Sequence, residues 1–329
     1  MTRYLILMLV LLAACGKESL APTTETVTYN IDPGRISVSG VSSGGYMAGQ
    51  LHLAHSSIFS GVAIIAGGPY YCARGELSQG LGPCMKGGDM GLDSLLDHAR
   101  SASAAGTIDD LANLADDHAW IFHGALDTVM NQEPSVTSAA LYAELMPDQA
   151  VTLVTDVAVV HGFPAVDADT TCDTFGAPYL YACDYDAARE ILQTLQGELT
   201  ERSVAGGAML TVVQPGFDDA EMLENAYLYV PASCAEGAAC GVHVALHGCS
   251  QSSEFVDDAF AVGAGFNEWA DSNQLLVLYP QVASSKIAPM NPYGCWDWWG
   301  YTGDDYATKN GPQVEAIKAT LDALAGTTL

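Results

Sequence analysis

Positive charge is what this 329-residue sequence has least of: 11 Lys and Arg stand against 39 Asp and Glu, for a formal net charge of −28 at pH 7. A field of that sign repels phosphate backbones, which argues against nucleic acid as a partner and for an uncharged substrate. It also suits solubility in a salty or external medium, where screening weakens self-repulsion. After the first 15 residues there is no long apolar run, so no later membrane span is expected. No internal repeat is visible. No CxxC spacing supports a zinc centre, so neither metal nor cofactor is expected.

What is present begins with a leader. Residues 1–15 (MTRYLILMLVLLAAC) join a basic Arg3 to an apolar stretch and small residues, as an export signal does. Leu12-Ala13-Ala14-Cys15 resembles a bacterial lipobox, which implies cleavage before Cys15 and its acylation. The expected product is an exported protein, lipid-anchored at the cell envelope or extracellular; an ordinary cleaved signal is the alternative. Residues 16–25 read as a polar tether, and 26–329 as one catalytic domain, expected to be monomeric. Of 9 cysteines, Cys15 is set aside. The remaining even set, Cys72, Cys84, Cys172, Cys183, Cys234, Cys240, Cys249 and Cys295, suggests disulfides in an exported chain. Sequence alone fixes no connectivity. Local spacing favours Cys72–Cys84, Cys172–Cys183 and Cys234–Cys240, leaving Cys249–Cys295 as a long-range tie.

Short apolar runs bounded by turn residues recur at Ile36–Ser39, Val62–Ala66, Trp120–His123, Val151–Val160 (broken near Asp156), Met209–Gln214, Tyr227–Val230, Val242–Leu246 and Leu275–Tyr279. Helical patterns fall at Tyr46–His55, Leu92–Ala99, Asp257–Asn273 and Pro312–Ala325. Alternating strands and helices predict an α/β fold with a mainly parallel sheet flanked by helices.

Gly40-Val41-Ser42-Ser43-Gly44 fits G-x-S-x-G, with a strand-like run before it and a helix-like run after it. That context is what the motif needs: a serine on a tight strand-to-helix turn, glycines that let the backbone pass, and free N–H groups facing developing negative charge. A mere Gly/Ser turn before a helix is the competing explanation. A serine elbow ordinarily follows several strands, yet here one precedes it. Val242–Leu246 followed by His247-Gly248-Cys249 reads as an oxyanion-loop strand displaced downstream, which predicts a circularly permuted α/β-hydrolase with its termini close together.

Asp127 follows the strand Trp120–His123, and His161 stands at the mouth of a strand over Val157–Val160. The order Ser42, Asp127, His161 is that of a hydrolase triad: serine needs an adjacent base, and the acid fixes the imidazole tautomer. His247 rivals His161 by position. His52 and His55 are expected to face solvent or satisfy packing, His123 to serve a turn or support the site, and Asp116 and Asp117 to lie at the wrong end of their strand. The oxyanion donors are expected to be the Ser43 and Cys249 N–H groups.

Together GVSSGGYMA, HGALDTVM, VVHGFP, ALHGC and GCWDWWGY resemble extracellular polyhydroxybutyrate depolymerases of the circularly permuted, single-domain type, over about residues 27–325. The resemblance implies Ser42, Asp127 and His161 as triad, Ser43 and Cys249 as oxyanion donors, and a Cys249–Cys295 bond holding the oxyanion loop. It implies hydrolysis of a polyester or oligoester substrate through an exposed apolar crevice, to which Trp296, Trp298 and Trp299 would contribute, Trp299 foremost; their burial as core is the alternative. No separate polymer-binding module is expected, unlike in many extracellular depolymerases. A feruloyl or acetyl-xylan esterase of the same fold, and a non-catalytic surface lipoprotein that binds apolar polymer, are the competing functions.

Overall fold

A computed structural model of the chain describes residues 27–329; the leader, Cys15 and the tether lie outside the described residues. Eight strands form one sheet. In chain order these are β1 (Ile31–Val41), β2 (Gly61–Ile65), β3 (His118–Phe122), β4 (Val151–Val154), then, after a small sheet, β8 (Ala208–Val213), β9 (Asn225–Val230), β10 (Cys240–Leu246) and β11 (Leu275–Tyr279). Their spatial order is β4-β3-β2-β1-β10-β11-β9-β8. The six from β4 to β11 run parallel, β9 runs antiparallel to β11, and β8 runs antiparallel to β9. This is the α/β-hydrolase sheet. Strands β2, β10 and β11 are buried along their whole length, because a parallel sheet is covered on both faces. Successive residues serve opposite cores. Ile64 packs with Met47, Leu51, Leu141 and Val314 on one side. Ile65 packs with Ile191, Leu192, Phe266 and Trp269 on the other.

The small sheet, ordered β5-β7-β6, holds β5 (Phe163–Pro164), β6 (Thr170–Thr171) and β7 (Leu180–Ala182). It supports the segment after His161. Four disulfides form: Cys72–Cys84, Cys172–Cys183, Cys234–Cys240 and Cys249–Cys295.

Two sequence expectations need correction. Val157–Val160 is not a strand, because its carbonyls accept from a neighbouring turn instead of a ladder: Ala125 N–H donates to Val157 O (2.8 Å) and Leu126 N–H to Val159 O (3.1 Å). The helix expected over Asp257–Asn273 is broken into Ala259–Gly263 and Phe266–Asn273. Asp257 and Gly265 have φ of 52° and 86°, which a continuing helix does not accept. The helices Glu133–Leu145 and Ala187–Gln196 lie outside the expected set.

Two core histidines set an acid limit on stability. His243 lies between the Ser37 and Ser39 hydroxyls at 2.9 and 2.8 Å. Burial lowers its pKa to about 3, and that of His247 to about 4, from 6.5. Below pH 6.5 the unfolded chain therefore binds protons that the folded chain refuses, so stability falls as pH falls. Well below pH 6.5 each histidine costs about 1.4 kcal/mol per pH unit, and the two together lose roughly 4 kcal/mol between pH 7.5 and 5. Urea midpoints at pH 7.5 and 5.0 test this; equal midpoints refute it.

Candidate active site

Strand β1 delivers Ser42 to the carboxyl edge of the sheet, and the helix Ser43–Ala54 begins at once behind it. Ser42 is held at φ 55°, ψ −117°, a costly conformation for a side-chain-bearing residue. Its N–H donates to Ile65 O at 2.8 Å. The turn demands glycine on both flanks: a Cβ at Gly40 would strike the Gly44 carbonyl, and one at Gly44 the carbonyls of His247 and Leu246.

His161 Nε2 lies 2.9 Å from Ser42 Oγ, and His161 Nδ1 lies 2.6 Å from Asp127 Oδ2. Asp127 Oδ1 accepts from the Val129 and Met130 N–H groups at 2.8 and 2.9 Å. Burial pushes the Asp127 carboxyl up, but the His161 hydrogen bond and charge, with the Met130 N–H, carry it below the ordinary value. The carboxylate is thereby kept ionised beside the imidazole. Gly124 permits the acid's turn, since a Cβ there would meet Val159 O. Tyr181 Oη, from β7, donates to His161 O at 3.3 Å.

Opposite Ser42, Gly40 is in register with Leu246 on β10, so the loop His247–Ser250 lies against the elbow. The Gly248 N–H is taken by Gln251 Oε1 at 2.8 Å. His247 Nδ1 bonds Gly248 O at 2.7 Å, and Trp296 Nε1–H donates to His247 O at 3.0 Å. Among the described residues, the Ser43 and Cys249 N–H groups have no protein acceptor. The Cys249–Cys295 bond ties this loop to the tryptophan segment. Ser42 and His161 open into a cleft of about 680 Å³ lined by Leu77, Leu81, Met85, Phe175, Tyr179, Met290, Tyr293, Trp298 and Trp299, among others, with no Asp, Glu, Lys or Arg on its wall. A hydroxyl that can pass its proton to an oriented imidazole, beside free N–H donors, can attack an ester carbonyl.

No protein-family model matches the chain. A poly(3-hydroxybutyrate) depolymerase of Delftia acidovorans is 36% identical over 96% of this chain, which spans 65% of that relative's length. A polyhydroxybutyrate depolymerase of Talaromyces funiculosus is 35% identical, over 93% of this chain and 94% of its own. This chain belongs to the polyhydroxybutyrate depolymerase family. The crystal structure of PHB depolymerase from Penicillium funiculosum superposes with a TM-score of 0.86 at 34% identity, over 92% of this chain and 98% of that one. A serine-to-alanine PHB depolymerase complexed with R3HB trimer gives the same TM-score at 33% identity.

In this family member the three tryptophans part company. Trp296 is fully buried behind the His247–Ser250 loop and does not line the cleft; its indole N–H is spent on His247 O. Trp298 stacks on Tyr46 at 4.6 Å and shows one edge to the cleft, and Trp299 is half-buried beside it. His247 is fully buried, with Nε2 accepting from Val282 N–H at 3.4 Å. His52 does not face solvent; it bonds Asp117 Oδ2 (3.1 Å) and Tyr142 Oη (3.2 Å) in the core. His123 donates from Nδ1 to Ser135 Oγ at 3.2 Å, the hydroxyl being spent on Gly67 O, and its Nε2 stands 3.9 Å from Asp127.

Sequence reasoning missed the cleft's rim. Leu77, Leu81, Phe175, Met290 and Tyr293 are all exposed at its mouth. They sit on loops and a short helix without periodicity. The available signal was bulky apolar residues inside runs of turn formers, as in LSQGLGP and APMNPYG.

Proposed function

We propose that this protein is a serine carboxylic-ester hydrolase that cleaves poly(3-hydroxybutyrate), or other short-chain hydroxyalkanoate polyesters and their oligomers, through an acyl-enzyme on Ser42. The observation that carries this is a Ser42–His161–Asp127 line opening into an apolar cleft free of charged side chains. An ester chain is neutral and extended; such a wall costs it little desolvation.

In the mechanism, His161 takes the Ser42 proton as Oγ bonds to the ester carbon, and the carbonyl oxygen becomes an oxyanion facing the Ser43 and Cys249 N–H groups. Collapse expels the hydroxyl end of the departing chain, which receives the proton from His161. Water, deprotonated by His161, then attacks the acyl-enzyme; the new acid leaves and Ser42 regains its proton. Asp127 holds the imidazole with its proton on Nδ1 and stabilises the imidazolium. Loss of either oxyanion donor would cost about 100-fold or more.

Two further readings accompany the function. The hydrolase order is circularly permuted: the nucleophile strand β1 is first among the described strands yet central in the sheet, and Tyr29 N–H donates to Leu324 O at 2.8 Å, which brings the ends of the described domain together. The protein is read as exported, since four disulfides form and persist in an oxidising compartment, and the lipobox supports an anchor on Cys15. A Cys15→Ser chain should then leave the membrane fraction; retention there refutes the anchor.

Initial rates test the substrate. Hydroxybutyrate trimer and polymer film should be cleaved at least a hundredfold faster than methyl ferulate or acetylated xylan. The reverse order overturns the polyester reading in favour of the feruloyl or acetyl-xylan alternative. Inertness on all four overturns ester hydrolysis and leaves a binding lipoprotein.

A further inference from the structure

We infer that Asp297 is a positioning residue for the substrate cleft: its carboxylate gathers the 299–302 backbone and thereby sets Trp298 and Trp299 as one wall. The inference rests on the ester-hydrolase reading of the cleft.

Asp297 is buried at 1% exposure, yet no step of the chemistry uses it. Its Oδ1 accepts from the N–H groups of Trp299 (3.3 Å), Gly300 (2.7 Å) and Tyr301 (3.0 Å). Its Oδ2 accepts from Thr302 N–H (2.8 Å) and Thr302 Oγ (2.7 Å). A run of N–H groups converging on one carboxylate is a backbone anion nest. It curls the chain tightly, and Gly300 takes φ 90° to allow the curl. Burial pushes the Asp297 carboxyl up, while the bonds from Thr302, Tyr301 and Gly300 pull against it by favouring the charged form.

The residue is also moored to the nucleophile's own framework. Asp297 O accepts from Gln50 Nε2 at 2.9 Å on the elbow helix, and Asp297 N–H donates to Gln313 Oε1 at 2.8 Å. The nest thus fixes the tryptophan wall relative to Ser42. Trp298 and Trp299 meet edge to face at 5.6 Å, so a shift of the turn moves both. None of these contacts reaches Ser42 Oγ, His161 or the oxyanion donors. Substrate affinity, not the chemical step, should therefore register the loss.

The test is Asp297→Asn, assayed with hydroxybutyrate trimer. An amide keeps one oxygen but turns an NH2 toward two donors. KM should rise at least tenfold, with kcat changed less than threefold. In a Ser42→Ala background, trimer affinity read by tryptophan fluorescence should weaken by the same factor. KM within twofold of wild type, or kcat falling as far as KM rises, overturns the inference. A wild-type protein that neither binds nor cleaves the trimer instead overturns the functional reading. Should Asp297→Asn fail to fold, Thr302→Val removes one of the five donors, the hydroxyl, and keeps the Thr302 N–H. It should raise KM about threefold at constant kcat; an unchanged KM there counts against the inference.

Discussion

Ser42→Ala should abolish hydrolysis of hydroxybutyrate trimer, with kcat lowered on the order of 10⁵-fold, by analogy with other serine hydrolases. The reason is that, among the described residues, Ser42 Oγ is the one hydroxyl bonded to His161 Nε2, at 2.9 Å. What survives would come from the oxyanion N–H groups acting on water. Labelling by an organophosphate should vanish in step. Fold and cleft should be untouched, since Ser42's strained backbone is held by its N–H to Ile65 O and not by its side chain; the melting temperature should stay or rise slightly. Retention of more than about 1% of wild-type kcat would remove Ser42 from the nucleophile's role, given the losses expected of a triad nucleophile.

Asp127→Asn should lower kcat by about 10³- to 10⁴-fold with little change in KM. Asp127 Oδ1 already accepts two backbone N–H groups. An Asn must therefore keep its oxygen there and present NH2 to His161 Nδ1. The imidazole then carries its proton on Nε2, facing Ser42, and cannot act as base. Burial also matters: the Asp127 side chain has 0% exposure, so water cannot substitute for the lost acceptor. His123, at 3.9 Å, is too distant to bond Asp127, and burial, ahead of the opposing Asp127 charge, lowers its pKa; it offers no replacement. A loss under tenfold in single-turnover kinetics would show that the imidazole is oriented by something else.

How much of this was legible depends on the range of the interactions involved. The elbow at 40–44 is a local steric problem, with glycines needed where neighbouring carbonyls close in, and local sterics leave a motif. Asp127 follows β3, which ends at the same sheet edge as β1, so strand polarity places it near Ser42; His161 follows the 155–160 loop, which the Ala125 and Leu126 N–H groups hold against the Asp127 turn. Over Val157–Val160 four apolar residues match a strand, whereas the turn at Ala125 and Leu126 claims their carbonyls. A single helix over Asp257–Asn273 fails for a related reason. Its polar and apolar residues fit a helical period, but φ is positive at Asp257 and Gly265, and the Asn267 amide, donating to Ala261 O at 2.8 Å, ties the two short helices across the break.

By itself the sequence determined the sign of the net charge, the alternation of strand and helix, the glycine-flanked turn at Ser42 and the chain order Ser42, Asp127, His161, because each is written in composition or in a few residues. Only the tertiary structure decided which of three nearly adjacent tryptophans face the cleft. Trp296 turns inward to bond His247 O, while the carboxylate between it and Trp298 gathers the backbone of the following turn. Burial is a property of what lies on the other side of a residue, and here those neighbours come from segments dozens to hundreds of positions away.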